Sequence, residues 1–373
     1  MDSCDVLIVG GGPAGTSCAW GLRDSGLDVA ILDKSTFPRD KVCGGWITPE
    51  VLQELDIDAV KYQRGRVLQP ITGFRTSSIG GREIETAYGR PISYGIRRCE
   101  FDAFLVDRCA ARILPASPLK TIERHDDAWL VNSEIKARLV VGAAGHFCPV
   151  ARYLGAGARS EVAVAAQEIE FELDSFQRER CSIQGEFPEL FFCQDMKGYG
   201  WCFRKGNYLN VGLGRLDQGK LPHHVSNFVE FLRASGKIQF DLQAAMRGHA
   251  YLIYREAHRK LIGDGMLLIG DAAGLAYSQS GEGIRPAIES GLLAAKTIAA
   301  AHRNYSATTL AGYRALLTTR FGSAKDDWST AIGRRLPIAA RSAIARHLLT
   351  THWFSRHIVL DRWFLHRDIP ALA

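Results

Sequence analysis

Four apolar residues, Val6-Leu7-Ile8-Val9, run directly into Gly10-Gly11-Gly12-Pro13-Ala14-Gly15, and few folds tolerate that junction. A continuous apolar run of this length reads as a strand buried on both faces. The glycines satisfy GxGxxG. They permit a tight turn and a close backbone approach, so that the helix N-terminus meets a pyrophosphate. Thr16 to Ser25 has helical spacing, Gly26 ends that helix, and Val29-Ala30-Ile31-Leu32 reads as the next strand. Asp33 closes that strand, close to the ~20-residue offset at which an acid accepts hydrogen bonds from ribose hydroxyls. Strand, glycine turn, helix, strand and acid together specify a dinucleotide site.

The chain has 373 residues, of which 46% are hydrophobic and 23% charged. That is an ordinary globular mix, long enough for two packed domains and unlike a disordered, collagen-like or coiled-coil chain. No apolar run approaches the ~20 residues of a membrane-spanning helix. The first strand begins so near Met1 that no length is left for a signal peptide, so a soluble, cytoplasmic protein is expected. Nine cysteines are irregularly spaced and form no CxxC pair. Neither a metal site nor a disulfide framework is therefore expected, and most should be small core residues. The net charge of +6 concentrates at the end: beyond residue 330 there are seven arginines, no lysine, and Asp361 and Asp368. This is a local basic surface without a nucleic-acid-binding motif.

Helical patterns fall at 49–55, 100–111, 225–235 and 242–247, and almost throughout from Ile284 onward. Alternating or short apolar segments at 71–75, 83–87, 119–123, 129–132, 138–142, 163–173, 190–193, 200–203, 208–214 and 266–270 read as strands. The pattern is a parallel α/β domain interrupted by a β-rich one, with a helical tail.

Residues Gly263–Gly274 read GDGMLLIGDAAG, a short buried strand followed by an acid among small residues, and Gly281-Glu282-Gly283-Ile284 opens a helix. Asp271 suits the hydroxyls of a ribityl chain. A Gly-rich helix start offers backbone N–H groups and a positive dipole to the pyrimidine edge of a flavin. These segments, with GGGPAG and Arg98-x-x-Phe101-Asp102, resemble the flavoprotein monooxygenase superfamily, which contains aromatic hydroxylases, flavin halogenases and geranylgeranyl reductases. Lys41-Val42-Cys43-Gly44-Gly45 resembles the KxCGG segment of the geranylgeranyl reductases. Gly198-Tyr199-Gly200-Trp201-Cys202-Phe203 with Asn210-Val211-Gly212-Leu213-Gly214 resembles their YxWxFP…VGxG motif.

The resemblance implies a Rossmann-type FAD-binding domain (1–70, 95–160 and 260–305), an inserted antiparallel β-rich substrate domain (71–94 and 161–259) and a helical C-terminal region (306–373). It implies FAD contacts at Gly10, Gly12, Pro13, Ala14, Gly15, Asp33, Lys34, Lys41, Cys43, Gly44, Arg98, Gly270, Asp271, Gly283 and Ile284. The implied reaction is saturation of a C=C bond in a geranylgeranyl or polyprenyl group, by hydride from flavin N5 and a proton from the protein. Cys43 is the candidate proton donor. Tyr199, Trp201 and Phe203 are candidates for one wall of a lipid site, or else for plain sheet core. The reductant is NAD(P)H or reduced ferredoxin, and no second GxGxxG distinguishes them. Oxygenation or halogenation through a flavin hydroperoxide, and a non-catalytic or electron-transfer flavoprotein, are the alternatives. The sequence departs from the family pattern at three points. Arg204 stands in place of Pro, Ala144 in place of an acid, and Ser278-Gln279-Ser280 lacks the usual Pro.

In the tail, Arg334, Arg335, Arg341, Arg346, Arg356, Arg362 and Arg367 interleave with Trp353-Phe354 and Trp363-Phe364, while Leu348, Leu349, Ile358, Leu360 and Leu365 add aliphatic surface. Basic and aromatic residues on shared helices fit a peripheral membrane contact. They equally fit a packed helical cap with snorkelling arginines.

Overall fold

The computed structural model describes residues 2–157, 161–216, 220–242, 245–254, 257–322 and 338–372. The chain divides into two compact units, Met1–Asp40 with Cys99–Ala163 and Tyr251–Lys325, and Lys41–Arg98 with Val164–Ala250 and Asp326–Ala373.

In the first unit five strands run parallel in the order Met266–Leu268, Ile135–Gly142, Asp2–Val9, Val29–Leu32 and Arg112–Leu114. The register sets Val9 opposite both Leu32 and Gly142, and Gly142 opposite Leu268. Gly10, Asp33, Ala143 and Ile269 therefore leave the sheet side by side at its carboxyl edge, where open α/β sheets bind their ligands. Helix Pro13–Leu22 packs along helix Ile284–Ala300. Gly291 allows the close approach, since a Cβ there would collide with the Ala14 carbonyl.

The second unit is built on a seven-stranded sheet in the order Arg247–Tyr251, Val164–Glu172, Tyr208–Arg215, Gly198–Lys205, Glu189–Phe192, Gly73–Ser78 and Ile84–Ala87. Successive side chains on a strand point to opposite faces, and here the two faces differ in kind. One presents Ile169, Leu209, Val211, Leu213, Cys202 and Phe191 to helix Leu221–Ala234, which supplies Leu221, Val225, Phe228 and Leu232 to the same buried cluster. The other carries Glu168, Glu170, Asn210, Tyr199, Trp201, Phe203 and Lys205.

Four features differ from the sequence reading. None of the described residues of 242–247 is helical. Arg247–Tyr251 is an edge strand beside Val164–Glu172, a pairing that local sequence does not signal; residues 243 and 244 lie outside the described residues. Arg112–Leu114, too short to show a period, completes the parallel sheet. Residues 41–70 group with the second unit, since Trp46–Ile47 and Leu68–Ile71 both pair with Ser93–Ile96. Finally, Leu349, Leu360, Phe364 and Leu365 of the tail are buried rather than surface residues. Phe364 packs edge-on to Trp46 and Tyr199 with centroids 5.6 and 5.3 Å away, and Tyr88 donates to Asp361 at 2.9 Å. Trp353, Ile344 and Leu348 do remain exposed, while Arg334 and Arg335 lie outside the described residues.

Phe228 is buried against Phe191, with centroids 5.5 Å apart, and its ring fills the space above Gly200. Phe228→Ala should cost about 3–5 kcal/mol in urea unfolding. A loss below about 1 kcal/mol would mean that this helix does not anchor the sheet.

Candidate functional site

The glycine turn of the first unit is shaped by contact. Gly10 has φ +116°, and a Cβ there would lie 2.5 Å from the Ala143 carbonyl oxygen; one on Gly15 would overlap the Gly10 carbonyl. Asp33 braces the turn. One carboxylate oxygen accepts from the Gly11 N–H at 2.7 Å and the other from the Ser35 N–H at 2.8 Å. Helix Pro13–Leu22 starts with Pro13 at its first turn and no side chain on its N-cap amides. Its end is thus open to an anion. The sequence reading missed Arg39, whose guanidinium lies 3.5 Å from where a Gly12 side chain would begin and 3.5 Å from buried Asp102. The Asp of Arg98-x-x-Phe101-Asp102 therefore holds a cation beside the glycine turn. Only the fold reveals this pairing, because the two residues are far apart in sequence. An uncapped helix end, glycines without room for Cβ and a tethered arginine fit the pyrophosphate of FAD. Lys34 is exposed.

Gly270 (φ +59°) packs against Ala14, and Asp271 sits in the turn that follows, 3.2 Å from where a Gly283 side chain would begin. Arg259, also missed, fastens this turn by donating to the Ala272 carbonyl at 2.9 Å while gripping Glu161 through two 2.8 Å bonds. That arginine holds the Glu161 carboxyl below the usual carboxylate range. At the start of helix Ile284–Ala300 the N–H groups are not all free for a ligand. The Glu282 carboxylate accepts from the Arg285 N–H at 2.8 Å, and burial pushes its pKa up to about 7. Ala144, near the expected nucleotide contact, instead packs on the Gly10 turn.

Lys41, Cys43, Gly44 and Arg98 gather in the second unit, where the strand face opposite the helix-backed core holds the Cys43 loop. The Cys43 N–H donates to Glu168. The Cys43 carbonyl accepts from Asn210 Nδ2 at 3.1 Å, and Asn210 Oδ1 accepts from the Trp201 indole at 2.7 Å. Lys205, buried and ion-paired with Glu170, donates to the carbonyls of Gly44 at 3.0 Å and Ile96 at 2.9 Å. Gly45 has φ +65° and no room for a Cβ against Ile96. Trp201 lies over Gly212, where any Cβ would enter its ring. The glycine of VGxG thus makes space for the indole. Tyr199, Trp201 and Phe203 lie along this one face: Tyr199 and Trp201 have centroids 5.9 Å apart, Phe203 stacks on Trp46 at 6.3 Å, and Trp201 and Phe203 are buried while Tyr199 is half-buried against Phe364. Lys41 sits 3.0 Å from His249.

Burial pushes the Cys43 thiol up, with Glu168 adding to the rise and Arg98 opposing it. The sulfur is therefore a protonated S–H near neutrality. Glu168 is 4% exposed, and burial pushes its carboxyl up to about 7 from an ordinary 4.5. Its ionisation is free in the unfolded chain and opposed in the folded one. Stability should hence be greatest below about pH 4.5 and fall as pH rises through about 7, by on the order of 2–3 kcal/mol from this group. Glu168→Gln should remove that share of the decline in urea unfolding at pH 5 and pH 8, leaving the shares of Glu282 and Glu189, whose pKa values burial also raises. An unchanged decline would show that the Glu168 carboxyl is solvated.

The profile of the family described as FAD dependent oxidoreductase matches residues 5–75. A menaquinone reductase of Mycobacterium tuberculosis is 30% identical over 325 residues, covering 80% of this chain and 77% of the relative. A digeranylgeranylglycerophospholipid reductase of Methanocaldococcus jannaschii is 26% identical over 335 residues, covering 84% and 81%. Among solved structures, a geranylgeranyl bacteriochlorophyll reductase-like protein of Thermoplasma acidophilum superposes with TM-score 0.73 at 22% identity, over 100% of this chain and 93% of that one. The halogenase PltM in complex with FAD gives 0.68 at 18%, over 98% and 85%, a likeness of fold. The cofactor is FAD, and the chain belongs to the geranylgeranyl reductase family of FAD-dependent oxidoreductases.

Proposed function

We propose that this oxidoreductase saturates C=C bonds of a geranylgeranyl or related polyprenyl chain. The observation that carries the reading is one sheet face on which an aromatic strip, Tyr199–Trp201–Phe203, adjoins a clamped loop bearing a protonated thiol. An isolated alkene offers no group for hydrogen bonding, so it needs an apolar wall and one acid. The relatives named for menaquinone and for digeranylgeranylglycerophospholipid act on compounds that carry isoprenoid chains, and we extend that class of substrate to this chain. FAD, when bound and reduced, supplies the hydride.

The protein's own residues do the rest. The glycine turn, Arg39 and the open end of helix Pro13–Leu22 bind the pyrophosphate; Asp33 keeps the turn in shape, and Asp271 takes the ribityl hydroxyls. Trp201, fixed by Asn210, holds the chain and excludes water. The Cys43 S–H gives its proton to the alkene carbon that does not receive hydride.

With dithionite as reductant and no oxygen, the FAD-loaded protein should convert a geranylgeranyl lipid to products bearing two more hydrogens per saturated bond, read by mass spectrometry. Cys43→Ser should lower kcat by about a hundredfold while FAD stays bound. Unchanged turnover would remove Cys43 as the proton donor, and absence of saturated product would overturn the reading itself.

A lipid substrate also gives the exposed Trp353, Ile344 and Leu348, beside the exposed Arg346, a membrane surface to meet. Replacing Trp353 and Leu348 by Ala should sharply reduce pelleting with anionic liposomes while FAD content is kept. Undiminished pelleting would place the membrane contact elsewhere.

A further inference from the structure

The residue that holds the Cys43 backbone is itself an acid, and the arrangement around it goes beyond positioning. Glu168 uses one carboxyl oxygen, Oε1, to accept the Cys43 N–H, while Oε2 is buried without a hydrogen-bond partner among the described residues. A buried carboxylate left half-satisfied is costly, whereas a carboxylic acid in the same place carries a proton available for transfer. The charged and titratable groups around it come from three places. Lys41 and Cys43 belong to the loop, Lys205 to the neighbouring strand Gly198–Lys205, and Glu170 to Glu168's own strand. Lys205 is already committed to Glu170 and to two backbone carbonyls, and Lys41 to His249. Neither cation is left as a dedicated counter-ion for Glu168. When ionised, the carboxylate raises the pKa of the Cys43 thiol, working against Arg98, which faces the same sulfur and lowers it.

We propose that Glu168 is the acid that reloads Cys43, returning a proton to its thiolate after each proton delivery to the substrate. The inference rests on the prenyl-saturation reading. The step balances without any further redox agent. The S–H bond of Cys43 breaks as a C–H bond forms on the substrate, and the electron pair stays on sulfur. The O–H bond of Glu168 then breaks as S–H re-forms, and the carboxylate recovers its proton from water. With Glu168 supplying the thiol, the site remains acidic through repeated saturations on one chain. Burial pushes the acid's pKa up to about 7, so at neutral pH it gives and regains a proton with little cost either way. Because Glu168 acts through Cys43, it is a positioning and proton-supplying residue rather than a group that touches substrate.

The test reads the thiol directly. The FAD-loaded protein is alkylated with iodoacetamide at a series of pH values, and the rate at the Cys43 peptide is followed by mass spectrometry, separately from the other eight cysteines. The wild-type curve should show two inflections, one near pH 7 where Glu168 ionises and one at higher pH where the thiol does. Glu168→Gln should show one, displaced downward. With the negative charge gone, Cys43 should alkylate at least about threefold faster at roughly pH 8.5. A single-step wild-type curve, or a Glu168→Gln curve superimposed on the wild type, would overturn the proposal. The wild-type curve decides alone if the variant does not fold. Failure of prenyl saturation with the two-step curve intact would count against the substrate reading and leave the Glu168–Cys43 exchange standing.

Discussion

The pleat of the seven-stranded sheet is the constraint on which the second unit's chemistry depends. Along Val164–Glu172, Tyr208–Arg215 and Gly198–Lys205, alternate residues enter a core closed by Leu221–Ala234, and the residues between them are released for another use. A slip of one residue in register would exchange the faces, sending Glu168, Asn210 and Lys205 into the apolar cluster. The cost of burying those polar groups is offset by what they grip: both backbone groups of Cys43, and the carbonyls of Gly44 and Ile96. A loop containing two adjacent glycines, which alone would be floppy, is thereby fixed from the sheet.

The first unit obeys a different constraint. Parallel strands in register deliver Gly10, Asp33, Ala143 and Ile269 to one edge, and the two long helices approach closely enough that Gly291 admits no side chain. Asp33 spends its carboxylate on the backbone amides of Gly11 in the turn and of Ser35 beyond its own strand, and Arg39 is held near that turn by Asp102. A positive potential there, from an open helix end and a tethered arginine, is what a pyrophosphate requires.

Much of this was legible in the sequence, for reasons that differ from residue to residue. The glycine turn could be read because GxGxxG after a buried run has few structural solutions, and Asp33 because its spacing follows from one βαβ unit. Tyr199, Trp201 and Phe203 were legible as a stripe, but their face was not. Whether period-two aromatics point to core or cleft depends on which side the helix Leu221–Ala234 covers, a long-range fact. Arg39, Arg259 and Glu168 carry no local signal. Arg39 gains meaning from Asp102, Arg259 from Glu161 and the turn after Ile269, and Glu168 from a loop 125 residues earlier. The helix expected over 242–247 runs at its end into the edge strand Arg247–Tyr251, whose pairing with Val164–Glu172 is another long-range fact. In the tail, Leu349, Leu360, Phe364 and Leu365 are buried, Phe364 against Trp46 and Tyr199, which composition cannot foresee.

The central claim is that electrons held on the flavin pass to an isoprenoid double bond in this protein. The direct measurement is a single turnover with no external reductant remaining: FAD-loaded protein is photoreduced in the absence of oxygen, mixed with one equivalent of a geranylgeranyl lipid, and followed by flavin absorbance. The account predicts that the lipid restores the oxidised spectrum at the rate at which saturated product appears. A flavin that stays reduced beside the lipid, yet forms an oxygen adduct once air is admitted, would contradict it and point to oxygenation instead.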